Sequence, residues 1–215
     1  MTINALGGDD EIINAASGGV LINAGEGNDE VTNLLNYSTV TGASDFEGVS
    51  IVGGSGNDSI YNIGGNRASI VSGSGDDYIS NRHGCYPTIS TGEGNDFIRI
   101  SNGHYQNIDA GAGDDTITAD AEAFIEYDWA MGGYAALLGG DDNDLITPIY
   151  SNNAYIDGGS GDDTIITNGK DSTITGGTGN DYIELTNGET GDYEAAIVAA
   201  SAVYLIRNSE FGMRN

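Results

Sequence analysis

The sequence predicts an all-β solenoid of about nine coils, in which short parallel strands stack one coil upon the next. Three observations predict it. A Gly-rich turn ending in Asp recurs nine times, and two aliphatic positions keep a fixed distance from every such turn. Glycine, at 35 of 215 residues, is also about twice as frequent as in ordinary domains.

The period comes from the last Asp of each turn. These anchors are Asp10, Asp29, Asp58, Asp77, Asp96, Asp115, Asp144, Asp163 and Asp181, spaced by 19, 29, 19, 19, 19, 29, 19 and 18 residues. The unit is therefore about 19 residues, and two units carry roughly ten more. Seven residues before the anchor stand Ile3, Ile22, Ile51, Ile70, Ile89, Ile108, Leu137, Ile156 and Ile174. Two residues after it stand Ile12, Val31, Ile60, Ile79, Ile98, Ile117, Ile146, Ile165 and Ile183. A chain that is only 38% hydrophobic does not place eighteen aliphatic residues this way by chance.

Each unit then reads as strand, Gly turn, strand, second turn. Isoleucine suits a pleated surface, and one inward Ile between polar neighbours is the alternation of a strand. Glycine stands four before the anchor in every unit except the first, which has Leu6, and two before it in every unit except the seventh, which has Asp142. Glycine there supplies the positive φ of a tight turn. The second turn is looser and often Asn/Gly.

Stacking puts the nine anchor carboxylates in one column along one edge of the rod, about 5 Å apart. Unit charges at that distance repel by about 1 kcal/mol in water and about 3–4 kcal/mol at an effective dielectric of 20. Two aliphatic side chains per coil also make a thin core against the backbone entropy of ordering the chain. A hard divalent cation between consecutive carboxylates answers both problems, and an all-oxygen ligand set suits Ca2+ better than Mg2+ or a softer metal.

The stretches GGSGNDSI (53–60), GGSGDDTI (158–165) and GGTGNDYI (176–183) resemble the repeats-in-toxin, or hemolysin-type, calcium-binding nonapeptide. The resemblance runs over about residues 3–187. It implies a right-handed parallel β-roll with calcium between the turns of successive coils. The ligands it implies are the nine anchor carboxylates, with loop carbonyls near Gly25, Gly27, Gly54, Gly56, Gly73, Gly75, Gly92, Gly94, Gly111, Gly113, Gly159, Gly161, Gly177 and Gly179. In that family the motif usually recurs every nine residues and binds on both edges. Here it comes once per 19, so calcium is expected on one edge only. Nine turns leave eight gaps, hence up to about eight ions, which would bring the formal charge from -27 to about -11.

The long units place their extra residues near 32–50 and 118–136, opposite the calcium edge. Both are aromatic, with Tyr37 in one and Tyr127 and Trp129 in the other. Either these rings pack on the rod, or they form a binding surface with His83 and His104 for a glycan or protein ligand. Cys85 and His104 share one position in neighbouring coils, but no third group orients the histidine, so no catalytic site is assigned. The repeat region is 1–190. The tail, 191–215, contains YEAAIVAASAVYLIRN, which suggests a helical cap on the rod. Ile3 already stands in register, which suggests a piece of a longer protein or an end docked on adjoining domains.

Charge and composition narrow the class. Six Lys and Arg against 33 Asp and Glu exclude a nucleic-acid footprint. No apolar run is long enough for a membrane helix, and MTINALGGDD lacks the basic and apolar regions of a signal peptide. The expectation is a non-catalytic calcium-binding structural or binding module of a secreted or cell-surface bacterial protein, folding as the metal binds. The alternative is a carbohydrate-binding module or β-helix carbohydrate-active enzyme that uses the other edge.

Overall fold

The computed structural model describes residues 1–15, 19–34, 48–64, 66–101, 105–120, 135–148, 152–169, 171–186, 196–197 and 202–207. They form two ten-stranded sheets, parallel throughout. One sheet takes the strand before each Gly turn, from Thr2–Gly7 onward, and the other takes the strand after it, from Glu11–Asn14 onward. Equivalent residues of successive coils pair directly. Ile51 faces Ile22 on one side and Ile70 on the other, and Ile98 lies between Ile79 and Ile117. The two longer units rejoin the stack without a slip, since Leu21 pairs with Ser50 and Asn107 with Ala136.

The eighteen aliphatic positions form the spine of the core. Seventeen are buried, and Ile3, in the first coil, is half-buried and packs against them. The core is fuller than two aliphatic side chains per coil. Small residues nine and five before the anchor also point inward, among them Val20, Ala24, Val49, Ala68, Ala110 and Ala154.

The Gly turns obey the conformational demand read from the sequence. Glycines four and two before the anchor have φ from 90° at Gly177 to 139° at Gly161. The two exceptions conform as well: Leu6 has φ 86° and Asp142 has φ 74°. A side chain held there costs about 1–3 kcal/mol. Asp142→Gly is accordingly expected to raise stability by about 1 kcal/mol, read as a later urea midpoint. An earlier midpoint would mean that the Asp142 side chain makes up for its strained backbone.

The far end differs from the expected helical cap. Ala196–Ile197 and Ala202–Arg207 are strands that extend both sheets. Ile197 pairs with Ile174, and Tyr204 with Ile183, so the tail falls into the aliphatic register of the repeat. The alternation and β-branched residues of AVYLIR favour a strand, and pairing with an existing edge outweighs the helix propensity of the alanines.

Candidate metal centre

The nine anchors form one column, but inside the coil and not on its rim. Asp29, Asp58, Asp77, Asp96, Asp115, Asp144, Asp163 and Asp181 are at most 3% exposed, and Asp10 in the first coil is half-buried. The turn curls the anchor inward, where its carboxyl joins a backbone ladder. The N–H of each anchor donates to Oδ1 of the anchor in the next coil, as from Asp58 to Asp77 at 2.8 Å and from Asp96 to Asp115 at 2.7 Å. The ladder runs from Asp10 through to Asp181.

A second ladder on the outer side of the same turn runs the opposite way. The residue before each anchor, Asn or Asp, accepts from the N–H of its successor in the next coil. Asn57 N–H donates to Asn28 Oδ1, and Asp76 N–H donates to Asn57 Oδ1. The side chains around the Gly turn thus clamp neighbouring coils from both directions, which accounts for the invariant Asn or Asp before the anchor.

The inner ladder uses only one oxygen of each anchor. The other, Oδ2, is buried without a hydrogen-bond partner in all nine: Asp10, Asp29, Asp58, Asp77, Asp96, Asp115, Asp144, Asp163 and Asp181. A buried carboxylate oxygen with no donor is costly. Burial accordingly pushes the carboxyls up, against the opposing N–H of the preceding anchor and, at Asp96, the Thr91 hydroxyl: Asp58, Asp96 and Asp163 to about 6, Asp115 to about 7 and Asp144 to about 8. Neighbouring anchor charges push the same way; at Asp144 they come from Asp115 and Asp163. The Asp77 carboxyl is also raised by burial.

Backbone oxygens also line the stacked turns. The carbonyls of the glycines four and two before the anchor lie directly against the matching glycine of the following coil. Gly25 O meets Gly54 and Gly27 O meets Gly56, where only a residue without Cβ fits. Among the described residues no three His, Cys, Asp or Glu side chains converge on one point. Any ion held here therefore takes backbone oxygens beside the carboxylates. A donor set of carboxylate and carbonyl oxygens, with bare Oδ2 atoms among them, fits calcium.

A third ladder, absent from the expectations above, runs inside the second sheet. Four after the anchor stand Asn14, Asn33, Asn62 and Asn81, all buried. Each Nδ2 donates to Oδ1 of the next, at 2.7, 2.7 and 2.6 Å. The ladder stops at Asn81, whose Nδ2 lacks an acceptor because the next coil presents Ile100 at that place. Four Asn in one register position was the available signal.

On the opposite edge, His83 sits in the second turn with φ 61°, and its N–H donates to Ser101 O. Cys85 is a free, half-buried thiol whose N–H donates to Asn66 Oδ1. Tyr37, Tyr127, Trp129 and His104 lie outside the described residues, and so does the pairing of Cys85 with His104. The described aromatics here are used on one another. The Tyr86 and Tyr105 rings stack with centroids 4.6 Å apart and planes 2° from parallel. On the outer face of the second sheet Tyr78 stacks on Phe97 and meets Tyr61 at a tilt.

Parallel coils closed by Gly-Asp turns, with a column of bare carboxylate oxygens inside those turns, define a β-solenoid whose turns offer oxygen ligands to a cation. The family model of the RTX calcium-binding nonapeptide repeat matches the chain in four copies, over residues 50–61, 107–123 and 157–189. Those stretches thus read as RTX repeats, and the coil of about 19 residues accommodates one such motif per turn of the solenoid. No curated protein and no solved structure matches it. No helix among the described residues is long and apolar enough to cross a membrane.

Proposed function

We propose that this chain is a non-catalytic, calcium-dependent structural or binding module of a secreted or cell-surface bacterial protein. The anchor carboxylates and nearby loop carbonyls hold the ions. The observation that carries the reading is the column of nine buried Oδ2 atoms without a donor. Calcium supplies positive charge to that column and ties one coil to the next. The chain's own part is to hold each carboxyl in place through the N–H of the preceding anchor, and to keep water out behind the Ile spine.

Binding then becomes folding free energy, because the unfolded chain has no such site. A module with a net charge of -27 that needs calcium suits the outside of a cell, where calcium modules work at about 10⁻⁴–10⁻³ M. Calcium titration followed by circular dichroism and thermal melting tests the proposal. Millimolar calcium should raise the melting temperature by about 8 °C or more, on the scale of 2–4 °C per kcal/mol for a chain of this size. Magnesium at the same concentration should do far less. Equal effects of the two ions, or none from calcium, would refute it.

A further inference from the structure

The nine turns are not equivalent as places for an ion, and the difference lies five residues before each anchor. That position reads Ala5, Ala24, Gly53, Ser72, Thr91, Ala110, Gly139, Gly158 and Gly176. It faces inward: Ala24, Ser72, Thr91 and Ala110 are wholly buried. The strand pairing passes over it in coil after coil. Ser50, Ile51 and Val52 pair with Ser69, Ile70 and Val71, the pairing resumes at Gly54 with Gly73, and the residues between are skipped. The same gap occurs between Asp109 and Gly111 and between Leu138 and Gly140.

Gly53, Gly139, Gly158 and Gly176 have no backbone need to be glycine, since none is in the left-handed region. What they provide is space. A Cβ at Gly53 would collide with Asp58 Oδ2 and with Ser72 O of the next coil. One at Gly139 would collide with Asp144 Oδ2 and Gly158 O, and one at Gly158 with Asp163 Oδ2 and Gly176 O. At Gly176 the nearest atoms all belong to Asp181, with Oδ2 foremost. In the first three coils a bare carboxylate oxygen and a carbonyl oxygen therefore converge on one small space with no donor between them. Two converging acceptors repel unless a cation, or the carboxyl's own proton, lies between them.

The remaining coils deal with that space in another way. The Ser72 hydroxyl donates to Thr91 O, and the Thr91 hydroxyl donates to Ala110 O. Those hydroxyls satisfy the carbonyl that would otherwise face an ion. In the coils of Ala5, Ala24 and Ala110 a methyl group occupies the position.

We propose that calcium enters only the three coils in which glycine five before the anchor leaves that convergence open, those of Asp58, Asp144 and Asp163, and that the five coils with Ala, Ser or Thr at this position are closed by their own side chains. The proposal rests on the calcium reading above but is separable from it. It also departs from the match to the family, which includes 107–123, where Ala110 fills the space.

The test is a count of bound calcium by equilibrium dialysis at millimolar calcium, with the full chain and two variants. Wild type should bind three ions per chain, one for each coil in which the two oxygens converge. Gly158→Ala should lose one, and its fold should survive because Ala24 and Ala110 carry the same methyl group in equivalent strands. Ala110→Gly should gain one, and it decides the matter if Gly158→Ala fails to fold. A wild-type count near eight, an unchanged count in Gly158→Ala, or an unchanged count in Ala110→Gly overturns the assignment of coils and leaves the calcium reading standing. A wild-type count of zero overturns both.

Discussion

Freed of calcium, the protein should melt at a higher temperature at pH 5 than at pH 8. The carboxyls of Asp58, Asp96 and Asp163 titrate near 6 in the fold, Asp115 near 7 and Asp144 near 8, against about 3.9 for an unfolded Asp. Between those values the folded chain holds more protons than the unfolded one, so stability falls as pH rises. The contribution of these groups is complete below about pH 4 and is lost as pH climbs through 6 to 8, with Asp144 the last to ionise. Each tenfold gain in proton affinity on folding corresponds to about 1.4 kcal/mol, and solvent screening leaves only a fraction of it. Several such groups together should still amount to a few kcal/mol, or roughly 5–10 °C in melting temperature.

Calcium reverses the sign. It binds the ionised carboxylates, so acid competes with it. In millimolar calcium the melting temperature should be highest near pH 8 and fall toward pH 5. Scanning calorimetry at four pH values, on calcium-stripped and calcium-loaded protein, reads both slopes. A metal-free melting temperature that falls on acidification would show that the anchors are ionised in the fold, contrary to what their burial implies.

The fold was legible because it repeats. An Ile or its aliphatic equivalent at two fixed positions in nine units leaves little freedom for any other arrangement, and the stack pairs each with its counterpart. The turns were legible for the same reason, down to Leu6 and Asp142 as the two departures from glycine. What the sequence left open is which way a polar side chain points. An Asp in a Gly turn reads as a rim residue, yet the turn curls it inward and its own backbone N–H joins the ladder. The position five before the anchor shows no pattern in the sequence, because it varies among Ala, Gly, Ser and Thr. Those residues look interchangeable as small side chains, but in a space bounded by a carboxylate and a carbonyl the presence of a single Cβ decides what fits. The tail misled through composition: its alanines suggest a helix, whereas the unpaired edge of the last coil offers a strand something to bond with.

Asp144→Asn should be stabilising in one condition and destabilising in the other. In the wild type, Asp144 Oδ1 accepts from Asp115 N–H at 2.9 Å, and Oδ2 is buried beside Gly139 and Gly158 O without a partner. Asparagine keeps the acceptor for Asp115. It also turns the second atom into an amide donor that faces the Gly158 carbonyl. At pH 8 without calcium the variant thus exchanges a strained, half-ionised carboxyl for a neutral hydrogen-bonded amide, and should gain about 1–2 kcal/mol. At pH 5, where the wild-type carboxyl is already protonated, the gain should shrink toward zero. With millimolar calcium the same change removes a charged ligand from one of the open coils, and the variant should be less stable than wild type by about 1–3 kcal/mol. Asp144→Ala is the control. It strips the acceptor from the buried Asp115 N–H and should be destabilising with and without the ion. Urea unfolding at pH 8, with calcium and with chelator, gives all four differences. If Asp144→Asn shifts the midpoint in the same direction in both, the buried carboxyl is not what links this fold to calcium.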